Sequence, residues 1–190
     1  MKKIIVAVTG ASGAIYARKI VERLVQVDEL EHIALIFSRN GQAVARYEGE
    51  TVPTDDPRVE VFDNDDMFAA PASGSADYEA MIVVPCSIGC AGRIAGGISG
   101  DLISRAADVM LKERGKLILV VRETPLSTIH LRNLTALSEC GAVILPASPS
   151  FYSHACNIEE LCDTVAERIM KAAGLPGNRY RWNGGDTNGR

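Results

Sequence analysis

The chain has 190 residues, 47% of them hydrophobic, and no composition break that would mark a second domain, which suits one α/β domain with an ordinary core. Its formal net charge of −4, with acids and bases interspersed and no long basic run, argues against nucleic acid as a partner. No stretch approaches the roughly 20 apolar residues of a membrane span, and the N-terminal apolar run is too short for a signal peptide, so the expected location is cytoplasmic.

Ile4–Val8 reads as a first strand, short and β-branched, ended by Gly10. Ala14–Val27 is predicted helical, with Ile15, Ile20, Leu24 and Val25 on or near one face. Ile33–Phe37 is a second strand, ended at Ser38, and Gly41–Glu48 is a candidate helix. Residues 49–78 read as a long irregular polar loop, with Pro53, Pro57, Pro71 and the run Asp63-Asn64-Asp65-Asp66, and a short strand near Val59–Phe62. Ala80–Val84 is a continuous apolar strand stopped by Pro85. Ser104–Arg114 is a helix, Leu117–Val121 a buried strand, and Ile129–Cys140 a helix closed by Gly141. Ala142–Leu145 is a strand stopped by Pro146, and Ile158–Ala173 is the last helix. The domain is expected to span 1–176, followed by a polar, glycine-rich tail over 177–190.

Strands apolar on both faces and alternating with helices imply a three-layer Rossmann-like (flavodoxin-like) α/β domain, its central sheet mostly parallel and helices on both faces. Ligands of such sheets bind beyond the carboxyl ends of the strands. Residues at those ends therefore carry the functional expectation.

The turn Gly10-Ala11-Ser12-Gly13-Ala14 joins a strand to a helix, and its backbone N–H groups suit a phosphate or other anion. The dinucleotide fingerprint is absent, because Ser12 stands where its second glycine belongs. The second strand ends at Ser38, where an NAD site would want an acid. Both points favour a mononucleotide. Pro85-Cys86-Ser87-Ile88-Gly89-Cys90 follows a buried strand, with small residues that let a flat ring or phosphate approach the backbone. Ala72-Ser73-Gly74-Ser75 reads either as an ordinary turn or as a flexible wall over a ligand. Arg105 and Lys112 are seven apart and share a helix face. Arg122-Glu123-Thr124-Pro125 puts an acid and a base at the end of an apolar strand. The five cysteines form no C-x-x-C pair, and no histidine set suggests a metal, so they read as reduced thiols and no metal is expected.

In order and spacing, these motifs resemble the flavin prenyltransferases, the UbiX/Pad group. The resemblance runs nearly end to end. It rests on Val8-Thr9-Gly10-Ala11-Ser12-Gly13-Ala14, Ala72-Ser73-Gly74-Ser75, Pro85-Cys86-Ser87, Arg105-Ala106-Ala107-Asp108-Val109 with Leu111-Lys112-Glu113-Arg114, Arg122-Glu123-Thr124-Pro125-Leu126, His130-Leu131, Gly141 through Pro146, and Phe151-Tyr152. It implies transfer of a dimethylallyl group, from dimethylallyl phosphate or its diphosphate, to N5 and C6 of reduced FMN. The product, prenylated FMN, serves UbiD-type decarboxylases, and members of the group form dodecamers.

By the same resemblance, Gly10, Ala11, Ser12, Ser38, Ser87, Ile88, Gly89, Cys90 and Arg122 are FMN contacts. Tyr152, Arg168, Lys112 and Trp182 serve the prenyl donor, with Trp182 closing the site. Ser12, Glu48, Glu123, Lys112 and Arg105 are the catalytic set. The chain departs from the group's pattern at Cys90, where Thr is common, and at Ser153-His154-Ala155 after Tyr152. An FMN-dependent decarboxylase of the cysteine-decarboxylase type is the alternative, but it needs an early active-site histidine, and only His32 lies in that half of the chain. A non-catalytic flavin carrier would have no use for Lys112, Glu123, Tyr152 and Arg168 together.

Overall fold

A computed structural model of the chain describes residues 2–177. Its first element is β1 (Lys2–Val8), followed by α1 (Ala14–Leu24), β2 (Leu30–Phe37), α2 (Arg39–Glu48) and β3 (Val59–Asp63). Two short 3-10 turns, Ala70–Ala72 and Gly74–Ala76, precede β4 (Ala80–Cys86) and α3 (Ile88–Ala95). Then come α4 (Leu102–Lys112), β5 (Lys116–Val121), α5 (Thr128–Glu139), β6 (Val143–Pro146) and, after a third 3-10 turn at Phe151–Ser153, α6 (Ile158–Ala173).

The six strands form one parallel sheet in the order β3-β2-β1-β4-β5-β6. Central β1 alternates its side chains between two cores, as a strand must. Ile4, Val6 and Val8 pack with Tyr16 and Ile20 of α1 and Ile169 of α6. Ile5 and Ala7 pack on the other face with Ala91 of α3, Ile103 of α4 and Leu134 of α5. This is the expected three-layer architecture. The strand order reverses between β1 and β4, so their carboxyl ends diverge into a crevice, the place where such sheets bind ligands.

The elements differ from expectation in two places, each with a local cause. α3 has no counterpart among the predicted elements, since its glycines disfavour helix. It forms because Ser87 caps it, accepting from Cys90 N at 3.3 Å, and because Cys90, Ala91 and Ile94 bury against the core. β4 runs through Pro85 to Cys86, because a proline forfeits only its N–H and its carbonyl still accepts from Thr9. The 49–78 segment contains the expected short strand, and Asn64 of its acidic run is structural. Asn64 Oδ1 accepts from Ile103 N at 3.0 Å and its backbone carbonyl accepts from Leu102 N at 2.8 Å, so it satisfies the first N–H groups of α4. The same helix end carries a capping box between Asp101 and Ser104.

That α4 cap gives a direct stability test. Asp101→Ala should cost about 1 kcal/mol in urea unfolding, and Asp101→Asn should recover most of it, since Asn caps equally well.

Candidate active site

Three loops meet at the carboxyl edge of the sheet: residues 9–13 after β1, Ser38 after β2, and 87–90 after β4. They are braced to one another. Ser38 N donates to Val8 O at 2.9 Å, and the Ser38 hydroxyl caps α2 by accepting from Gly41 N at 3.0 Å. Gly10 faces Asn40 so closely that a Cβ would lie 2.5 Å from the Asn40 Cβ, so a side chain at position 10 would push α2 away. Arg122 follows β5 and ties to β4 through its N–H, which donates to Cys86 O at 3.2 Å.

α1 begins at Gly13 with no side-chain cap of its own. The cap arrives from the last residue of α2 instead. The Glu48 carboxylate accepts from Gly13 N at 3.0 Å and from Ala14 N at 2.7 Å. The Ser12 hydroxyl donates to the same carboxylate. Partial burial pulls the Glu48 pKa up, but the Ser12 and backbone hydrogen bonds, aided by the Arg122 charge, outweigh it and hold the carboxyl below its ordinary range.

This corrects the sequence expectation for the turn. The Gly13 and Ala14 N–H groups that suit a phosphate are already taken by a carboxylate of the same chain. The exposed first-turn N–H groups of α2, at Arg39 and Asn40, and of α3, at Ile88 and Gly89, remain for an anion. The flavin fits this crevice in that sense. Its phosphate has two capped helix starts to meet, and its ring has the small residues Gly10, Ala11 and Ser12.

Other expected site residues stand differently. Cys90 is fully buried, and its thiol is hydrogen-bonded to that of Cys86, so its side chain points into the core and away from the crevice. Glu123 is exposed beside Arg122 and accepts from Thr124 N at 3.0 Å. Ala72–Ser75 is held against α4 and is no free wall: Arg105 Nε donates to Ala72 O at 3.2 Å, and a Cβ on Gly74 would lie 2.5 Å from Glu113 Oε1. Arg105 also pairs with Asp108 at 2.8 Å, and Lys112 pairs with Glu113.

Lys112 ends α4, four residues before β5 starts, and so lies at the amino edge of the sheet. Across the length of β5, that is roughly 20 Å from the crevice. Tyr152 is exposed on the 3-10 turn beyond β6. Arg168 on α6 lines a cavity of about 600 Å³ with Val143, Ile144, Leu145, Pro146 and Lys171, along the outer side of β6. One chain therefore gathers Gly10, Ala11, Ser12, Ser38, Glu48, Ser87, Ile88, Gly89, Arg122 and Glu123 at one edge. It leaves Lys112 far from them. Trp182 lies outside the described residues.

Tyr16 was not singled out from the sequence. It is buried beneath the turn, hydrogen-bonded to Cys162 and near Arg122; burial foremost pushes its hydroxyl pKa up, which keeps it neutral. His32 lies early in β2, near the amino edge, 2.9 Å from Glu60 and 3.3 Å from the Tyr78 hydroxyl. It therefore cannot supply the crevice histidine that a cysteine-decarboxylase reading requires.

The Glu48 cap has a pH signature. Its folded pKa is depressed, so its stabilisation is present above the ordinary value of 4.5 and is lost as pH falls through the lower folded value. Glu48→Gln should cost about 1 kcal/mol in urea unfolding at neutral pH. The gap from the unaltered chain should close in acid.

The chain matches the family model described as Flavoprotein over residues 1–174. It is 40% identical to the flavin prenyltransferase UbiX of Pseudomonas aeruginosa, over 95% of this chain and 94% of that one. Among solved structures it resembles AnUbiX (PadA1) in complex with FMN and dimethylallyl pyrophosphate, with a TM-score of 0.90 and 43% identity, covering 96% of this chain and 98% of that one. It also resembles a dodecameric FMN-dependent UbiX-like decarboxylase from Escherichia coli O157:H7, with a TM-score of 0.88 and 35% identity over 95% of this chain and 99% of that one. The chain belongs to the flavoprotein family, and within it to the flavin prenyltransferases of the UbiX group.

Proposed function

We propose that this chain transfers a dimethylallyl group from dimethylallyl phosphate to reduced FMN, making prenylated FMN. The observation that carries the reading is the Ser12–Glu48 pair beside Arg122 at the β1/β4 crevice. It sets a hydroxyl, a carboxylate and a cation where the flavin ring would lie, in a chain 43% identical to one solved with FMN and dimethylallyl pyrophosphate. Reduced FMN, when bound, supplies the nucleophilic N5 and C6.

The residues divide the remaining work. Gly10, Ala11 and Ser12 floor the ring, and Ile88 and Gly89 offer N–H groups to the phosphate of FMN beside the helix caps Ser38 and Ser87, whose own N–H groups are donated to Val8 O and Thr9 Oγ1. Cys90 contributes through its place in the α3 cap. The Ser12 hydroxyl points a hydrogen bond at Glu48 and can exchange a proton with it, so a proton leaving the ring has an acceptor within one hydrogen bond. Glu123 is a second acid at the same edge. Loss of phosphate from an allylic carbon leaves an anion and an allylic cation. Lys112, Arg105, Arg168 and the Tyr152 hydroxyl suit the anion, and one well-placed donor of this kind is worth about 3 kcal/mol. The cavity beside β6 has an apolar wall with Arg168 and Lys171 on it, which matches a short branched hydrocarbon ended by a phosphate. Trp182 would close the site.

Lys112 can serve the crevice only from another copy. A homo-oligomer, taken here as a dodecamer like the E. coli relative, supplies that copy. Exposed aromatic side chains near the functional edge, Tyr47, Phe151 and Tyr152, are available for such contacts. The product passes to a UbiD-type decarboxylase. The enzyme works in the cytoplasm, in keeping with five cysteines that form no disulfide, two of them exposed. Among the described residues no helix is long and apolar enough to cross a membrane.

Two experiments test this. Incubated without oxygen with reduced FMN and dimethylallyl phosphate, the protein should yield a flavin heavier by one prenyl unit in mass spectrometry. No such product with either the phosphate or the diphosphate would sink the reading. Lys112→Ala and Arg122→Ala should each lose at least about 10²-fold in turnover. Refolded together, the two variants should recover roughly a quarter of the sites, since random mixing pairs an intact Lys112 with an intact Arg122 that often. No recovery would place both residues in one chain's site.

A further inference from the structure

We infer that Thr9 is a positioning residue for the flavin: its buried hydroxyl joins the turn after β1 to the turn after β4 in one rigid cradle. This rests on the flavin site proposed above. Thr9 is 2% exposed and sits beneath Gly10–Ser12, so its side chain is out of reach of a ligand in the crevice. Its Oγ1 donates to Pro85 O at 2.7 Å and accepts from Ser87 N at 2.8 Å.

The sheet explains why a side chain is needed here. Residue pairing between β1 and β4 ends at Ala7 and Val83. Beyond it, the Thr9 carbonyl is turned away and accepts from Ala11 N at 2.9 Å, which makes the turn itself. Pro85 has no N–H to offer. The Ser87 N–H therefore emerges beside β1 with the carbonyl opposite it already used. The Thr9 hydroxyl takes that carbonyl's place.

The chain of bonds then continues, because Ser87 Oγ accepts from Cys90 N and caps α3. Beside the backbone bond from Thr9 N to Pro85 O at 3.2 Å, the hydroxyl thus links Gly10–Ser12 to Ser87–Cys90, the two segments that would hold opposite sides of the flavin. Loops fixed at the right spacing before binding lose less freedom when the ligand arrives. An apolar residue of the same shape would keep the packing and the Thr9 N–Pro85 O bond, and would cut the link to Ser87.

The test compares Thr9→Val with Thr9→Ser, with Ile118→Val as a core control away from the crevice. FMN titration of the unaltered chain comes first: no binding would overturn the flavin site itself, and this role with it. Given binding, Thr9→Val should raise the FMN Kd about tenfold or more, and Thr9→Ser should stay within about threefold. In turnover, Thr9→Val should raise KM for reduced FMN and leave KM for dimethylallyl phosphate unchanged. Ile118→Val should lower the melting temperature and leave FMN affinity alone. The role is overturned if Thr9→Val binds FMN normally, if Thr9→Ser is as weak as Thr9→Val, or if Ile118→Val weakens FMN equally. Should Thr9→Val fail to fold, hydrogen exchange on the unaltered apo chain decides. A protected Ser87 amide supports the link, and exchange at the solvent rate refutes it.

Discussion

Glu48 on the first turn of α1 is the contact on which the functional edge depends. A parallel sheet delivers every strand's carboxyl end to the same side, and with it the start of the helix that follows. Each helix start has N–H groups that need partners. α2, α3, α4 and α5 satisfy one of theirs with a serine or aspartate at the cap, a local solution. α1 has Gly13 at that place and takes its partner from a residue 34 positions away in sequence. The end of α2 is thereby pinned to the start of α1, and Glu48 is left ionised beside Ser12. One interaction caps a helix, closes one side of the crevice and, in the proposed site, would supply an acid–base pair at the ring.

The capping also sorts the anion sites. Of three neighbouring helix starts, one is filled from within and two remain open. A carboxylate on α1 repels a phosphate there and leaves α2 and α3 as the positive ends. In the proposed site the flavin's ring would lie over the α1 turn and its phosphate at the other two. Across the crevice, Thr9 does for β4 what Glu48 does for α2. The Glu48 bond joins two helices that no ladder connects, and the Thr9 bonds carry on from where the β1–β4 pairing stops.

The distribution of charge over one copy is the reason the proposed site calls for a second copy. Arg122 and Glu123 end β5, whereas Lys112 sits just before β5 begins. A helix that returns antiparallel to the strands must carry its last residue to the opposite edge. No rotamer of a lysine spans the sheet. Lys112 at the end of α4 therefore lies on the surface away from the crevice, and in the proposed site a second copy would bring its crevice to it.

Much of this was legible in the residues. Parallel strands are buried on both faces, so they appear as unbroken runs of Val, Ile, Leu and Ala, and all six were visible as such or as short β-branched segments. Helix caps and strand ends then marked where a ligand binds, and the order of motifs named the family. What the sequence could not reveal depends on contacts between distant positions. The resemblance marked Glu48 as a site acid, but its cap on α1 is invisible until α2 is folded back. Cys90 reads as a loop residue until Ser87 caps a helix that its glycines argue against. Thr9 reads as the end of a strand until its hydroxyl meets Ser87. The turn at Gly10–Gly13 suggested an anion site, and the sequence determined that much. Only the tertiary structure decided which anion fills the start of α1, because a carboxylate from the same chain reaches those N–H groups first.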